Sequence, residues 1–237
     1  FPLMFFFFKK YLVWTDKPKL QLIRGLILLT ANISFFYSIS VISLPKALTL
    51  AFVAPLVVTA FSPFFLGESV GYRRWAAVII GFIGSLVVIR PGFLEINLAS
   101  LAALGTGIMY GFYLIITRKL STSDNPLLTL LLTGVVGAII ATTFMPFVWV
   151  SPTFNQWSIM AAIGLFACIG HLFIILSLKY ADASKLAPFS YFEIVTNIII
   201  AYYFFGDFPD SWTFLGLFII VFSLSLIHIS EPTRPSR

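Results

Sequence analysis

Apolar residues in this chain do not alternate with polar ones. They come in long runs, most of them about the length a helix needs to cross a bilayer, separated by short polar punctuation. The apolar stretch at 1–8 is too short to span and reads as the last turns of a helix. Complete spans are predicted at 22–42, 47–66, 75–90, 98–117, 127–149, 157–178, 184–205 and 212–229. The connections carry residues that end or cap helices, as in Ser43-Leu44-Pro45, Arg90-Pro91-Gly92, Ser123-Asp124-Asn125-Pro126 and Ser151-Pro152-Thr153. No soluble domain fits between them. The pattern predicts an all-α polytopic membrane protein.

Composition agrees. With 59% hydrophobic residues, 10% charged and a mean hydropathy of +1.01, a water-soluble domain would leave far too much apolar surface wet. The net charge of +6 would suit nucleic acid on a single basic face. Here the basic residues sit in small groups between apolar runs, where they act as orientation signals, so nucleic-acid binding is excluded. Counted over alternate loops, one side holds Lys9, Lys10, Lys17, Lys19, Arg24, Arg73, Arg74, Arg118, Lys119, Lys179 and Lys185, and the other only Lys46 and Arg90 outside the C-terminal tail. The rich side is expected to be cytoplasmic. The single cysteine, Cys168, rules out an intramolecular disulfide and a thiolate metal cluster. No cofactor motif and no metal-ligand set is present.

The stretch 185–210 carries the strongest chemical signal. Glu193 lies near the middle of a predicted span, where an ionised carboxylate costs at least about 2.5 to 3.5 kcal/mol unless it is protonated, paired or facing a wet cavity. Ser190, Glu193 and Asn197 follow at intervals of three and four residues and so share one helix face. Other polar groups at mid-span depth are Asn32, Ser34, Tyr37 and Ser38, then Thr106, Tyr110 and Tyr113, then His171. We take Glu193, His171, Asn32, Ser190, Asn197, Tyr110 and Tyr113 as candidates for binding a substrate or a proton. Each also has a structural reading: a protonated carboxyl or an imidazole bonded to a neighbouring helix, amides and hydroxyls as interhelical glue, tyrosines as packing. Gly107 and Gly111, Gly81 and Gly84, Gly134 and Gly137, and Gly164 and Gly170 are expected to give thin faces for close helix approach. Pro55, Pro63 and Pro188 are positioned to bend or break their helices.

Sliding the chain against itself by 139 residues aligns Gly25 with Gly164, Asn32 with His171, Ser38 with Ser177, Lys46 with Lys185 and Gly67-Glu68 with Gly206-Asp207. The charge count places Glu68 and Asp207 on opposite sides, as an odd number of spans per unit requires. An inverted repeat of five-helix units is therefore expected.

These features resemble the EamA family of the drug/metabolite transporter superfamily. The resemblance rests on Ala54-Pro55 through Leu66-Gly67-Glu68, Trp75 and Gly81, echoed by Phe205-Gly206-Asp207, Trp212 and Gly216, and on Val88-Ile89-Arg90-Pro91-Gly92. The segment from Pro188 to Glu193, with Gly170-His171, is most similar to the branch that includes riboflavin and S-adenosylmethionine uptake carriers. The family has ten helices in two repeats, so about eight complete spans are expected here. Residues 1–92 would be an incomplete first repeat and 97–223 the second. Residues 224–237 resemble a translated sequencing adapter and are set aside. The resemblance implies a secondary active transporter of a small organic metabolite, working by alternating access in the inner or plasma membrane, with proton coupling as one option. It implies a lipid bilayer and a small molecule as partners and allows a homodimer. The rival classes are a membrane-embedded enzyme, for which a clustered nucleophile and base are missing, and a non-transporting scaffold.

Overall fold

The computed structural model describes residues 15–67, 70–89, 97–121, 123–180 and 196–229. Every regular element among them is helical: α1 (Pro18–Ile39), α2 (Leu44–Ala51), α3 (Ala54–Leu66), α4 (Tyr72–Ile89), α5 (Leu98–Ser121), α6 (Pro126–Val148), α7 (Phe154–Tyr180), α8 (Thr196–Phe205) and α9 (Ser211–Ile229). Among the described residues six helical stretches are long and apolar enough to cross a membrane, counting Leu44–Leu66 as one. The protein is thus a multi-pass membrane protein. The first part of the span predicted at 184–205 lies outside the described residues, as do Glu193, Ser190, Pro188 and Glu68.

The polar punctuation becomes helix caps. Asn125 Oδ1 accepts from the Leu127 N–H at 2.9 Å, with Pro126 supplying the first helical residue of α6. Asn97 does the same for α5 through the Ala99 N–H, and Asp210 for α9 through the Thr213 N–H. At the start of α7, Thr153 and Gln156 bond each other's backbone N–H in a reciprocal capping box. Two helices end on glycines in the left-handed region, α3 at Gly67 (φ 70°) and α8 at Gly206 (φ 68°). The last turn of α8, Ala201–Phe205, is π-helical.

Contacts divide the chain into two units. The first comprises residues 1–29 and 116–183 and the second 30–115 and 184–237, so α1 and α5 contribute to both. In the first unit α1 and α6 approach closely at Gly25, where an added Cβ would come within 2.8 Å of Val136 Cβ. The α7 helix buries only Ile175 and Leu178 and presents apolar residues on all sides, as a lipid-facing helix does.

The second unit has two buried clusters. Phe52, Val53 and Leu56 pack with Leu217 and Ile220, and Ala47 and Leu50 pack with Val88, Ile89 and Ala103. The α4 and α9 helices meet through small residues: a Cβ on Gly84 would lie 3.0 Å from the Gly216 carbonyl, and one on Gly81 would lie 2.6 Å from Ser223 Oγ. These contacts, and those of Gly107 and Gly111 on α5, are the thin faces expected from the sequence. Gly137, Gly164 and Gly170 correct that expectation, because a Cβ on any of them would meet nothing within 4 Å.

The span predicted at 47–66 is broken into α2 and α3 at Phe52-Val53. Pro55 lacks an N–H, so the Ala51 carbonyl loses its helical donor and the helix parts there. Gly107 gives that carbonyl room, since a Cβ in its place would come within 2.6 Å of Ala51 O. Pro63 leaves α3 intact, and Ser62 Oγ donates to the Thr59 carbonyl that Pro63 would otherwise orphan.

Candidate functional site

In the second unit the helix break borders a small cleft with room for about one water molecule. Its walls are Pro45, Leu48, Thr49 and Phe52 from α2 and the turn after it, Asn197 and Ile198 from α8, and Leu217 from α9. The Thr49 hydroxyl donates back to the Pro45 carbonyl at 2.8 Å. Asn197 and Thr49 are the polar residues of a cleft whose other walls are apolar.

The other candidates of the second unit lie on α1 and α5. Tyr113 is fully buried and stacks on half-buried Tyr110, with ring centroids 5.4 Å apart and planes 16° apart. Thr106, one turn earlier on α5, donates to the Ala31 carbonyl of α1 at 3.3 Å. Asn32 is exposed, while Ser38 is buried and donates to the Ser34 carbonyl. The polar groups of α1 thus do not form one inward stripe.

In the first unit a polar cluster replaces apolar packing. Arg24 is fully buried. Its Nε donates to Thr117 Oγ1 of α5 at 2.7 Å, and its Nη1 to the Thr129 carbonyl at 3.2 Å and to the Thr133 hydroxyl of α6. One turn earlier Gln21 Nε2 donates to Asp124 Oδ2 at 2.7 Å and to Thr129 Oγ1 at 3.0 Å. Thr15 also donates to Asp124, and Lys17 Nζ reaches Ser123 Oγ at 3.3 Å. Half-buried His171, on α7, lies within the electrostatic reach of Arg24. Burial works to raise the Asp124 carboxyl, yet hydrogen bonds from Thr15, Gln21 and Ser123 and the charge of Lys17 together hold it below its usual 3.8.

The sequence reading missed this cluster. Arg24 was counted there among the loop charges, although it falls inside the span predicted at 22–42. A basic residue flanked by Leu22, Ile23, Gly25 and Leu26 was the available signal.

Comparison with known proteins gives this arrangement a context. The sequence profile of the EamA-like transporter family matches residues 1–90 and 97–229. The chain is 26% identical over 231 residues to an S-adenosylmethionine uptake transporter of Rickettsia bellii, covering 98% of this chain and 79% of that protein. It is 30% identical over 198 residues to a riboflavin transporter of Vibrio cholerae, covering 81% of this chain and 64% of the relative. It is 25% identical over 205 residues to the pseudopaline exporter CntI of Pseudomonas aeruginosa, covering 84% and 71%. A solved crystal structure shares the fold with a TM-score of 0.62 at 19% identity, covering 88% of this chain and 74% of that one. These relatives are named as transporters, not enzymes. By the extent of the profile match, the chain belongs to the EamA-like transporter family.

Proposed function

We propose that this protein carries a small organic metabolite across the membrane by alternating access between two inverted repeats, with its basic loops on the cytoplasmic side of a bacterial inner membrane. Transport as such follows from the family. The observation that supports the mechanism is the pair of left-handed helix ends, Gly67 and Gly206, which stand 139 residues apart, the spacing of the internal repeat.

In this reading the substrate contacts the cleft at Asn197, with Ser190 and Glu193 on the same face of that span, and with Tyr110, Tyr113, Asn32 and His171 as further candidates. The names of the relatives make S-adenosylmethionine and riboflavin the first compounds to try. The deciding experiment is uptake of each by the protein in proteoliposomes, with and without a proton gradient. Uptake that Asn197→Ala abolishes and a gradient accelerates supports a coupled carrier. Absence of uptake and of counterflow for every metabolite offered favours a non-transporting scaffold. Glu193→Gln separates the roles of the acid: a proton carrier loses concentrative uptake and keeps exchange, whereas a substrate anchor loses binding. Parent-rate transport by Glu193→Gln and Glu193→Ala across pH 5 to 8 would remove Glu193 from the mechanism.

A further inference from the structure

We propose that the Arg24 cluster is a latch, a polar lock that holds the first half of α1 against the end of α5 and the start of α6 and must part when the carrier opens at that end. The inference rests on the alternating-access reading and adds to it the element that keeps one end shut.

The first argument is the direction of the side chain. Arg24 lies six residues into α1, roughly 9 Å along the axis from the helix start. A long basic side chain at that depth ordinarily extends its stem along apolar surface and leaves its head in water. Here the guanidinium turns sideways into α5 and α6 and is wholly buried.

The second argument is energetic. The acceptors that Thr117, Thr129 and Thr133 offer are neutral hydroxyl and carbonyl oxygens. A buried charged group, even with its hydrogen bonds made, often stabilises a fold no better than apolar side chains of the same volume, and its best-attested uses are register and switching. Water entering the cluster would hydrate the guanidinium and the threonine hydroxyls alike, so the open arrangement is accessible in a way that an opened apolar seam is not.

Gln21 supplies the third. Its Oε1 is buried and accepts no hydrogen bond. The amide cannot be turned to relieve this, because its nitrogen already donates to the Asp124 carboxylate and to Thr129, and turning it would face oxygen to oxygen. The shut arrangement therefore holds a desolvated acceptor that opening would satisfy. The outer end of the cluster is the connection at Asp124, tied to Thr15 and beside the exposed Lys17, where water has its shortest route in.

The test uses the protein with Cys168 replaced by serine and spin labels on cysteines introduced at Lys19 and Lys119, both exposed. Distances are measured by pulsed electron resonance in lipid nanodiscs. Arg24→Gln and Asp124→Asn should each add a longer distance component that the labelled parent lacks, with melting temperature and helix content close to the parent's. A parent-like distribution in both variants overturns the latch, whether or not they melt earlier, since lost stability with unchanged distances is the mark of a purely structural cluster. Asp124→Asn lies at the outer edge and keeps the fold if Arg24→Gln does not. Uptake of S-adenosylmethionine and riboflavin is recorded in parallel. A shifted distance distribution without uptake of any substrate counts against the transport reading and leaves the latch standing, while uptake with unchanged distances does the reverse.

Discussion

The α4–α9 pair and the Arg24 cluster hold membrane helices together by opposite means. In the first, glycines let two backbones touch, so the gain is dispersion over a close surface and nothing polar is at stake. In the second, three elements are tied by hydrogen bonds to a single buried cation. Lipid is as apolar as leucine, so oily side chains alone give helices little reason to associate. The pair shows how a seam is made permanent. The cluster shows how one is made specific and yet able to open.

The sharpest way to break this comparison is to thicken the glycine seam. In Gly216→Val the new Cβ would come within 2.7 Å of the Gly84 backbone carbonyl, an atom that cannot step aside without moving α4. The expected loss is about 3 kcal/mol, read as a lower midpoint in detergent unfolding. A variant as stable as the parent would mean the seam is not close-packed.

The cluster should respond more weakly and in an unusual order. Thr133→Val leaves Arg24 short of an acceptor and is expected to cost about 1 to 3 kcal/mol. Arg24→Leu removes the charge as well as its bonds and should cost less than Thr133→Val in the same unfolding assay. If the leucine variant is the less stable one, the cluster is glue and the contrast with the glycine seam disappears.

Smaller again is the cap beside the cluster. Asn125→Ala removes the side-chain acceptor for the Leu127 N–H and should cost about 1 kcal/mol by denaturation. The smallest effect near neutral pH concerns Asp124. Its folded carboxyl titrates below its usual 3.8, so its stabilisation is complete above that value and is lost as pH falls through the lower, folded one. Stability curves of the parent and Asp124→Asn should run parallel above pH 4 and converge in more acid solution. Convergence already between pH 5 and 7 would show the carboxyl to be held above its usual value.

The sequence announced much of the seam and little of the cluster, for a physical reason. Caps and breaks depend on residues close in the chain, so Asn125-Pro126, Pro55 and Gly67 could be read where they stand. Gly81 and Gly84 were visible as a thin face, whereas Gly216, the partner of Gly84, was singled out only within the family motif, and Gly137, Gly164 and Gly170 carried the same signal without a neighbour. Arg24 was misread because a flexible side chain can turn to water or to the interior, and its acceptors lie 93 to 109 residues away. Asn32 shows the same limit from the other side, since its place on the helix could be read from the sequence but which neighbours cover it could not, and it is exposed among the described residues. On α3 Pro63 does not break the helix, and the adjacent Ser62 donates to the carbonyl that the proline leaves without a partner.

The separation of Arg24 from its partners also bears on how the chain is made. Its acceptors on α5 and α6 are synthesised 93 to 109 residues after it. At ribosomal speeds of about 5 to 20 residues per second, α1 must wait for roughly 5 to 20 s with its arginine unmatched. During that interval the nascent helix is best placed shallow, with the guanidinium among lipid headgroups, and it can settle to its final depth only once Thr133 has emerged. Insertion of this protein is then not a simple succession of spans. Its first described helix is among the last to be finished.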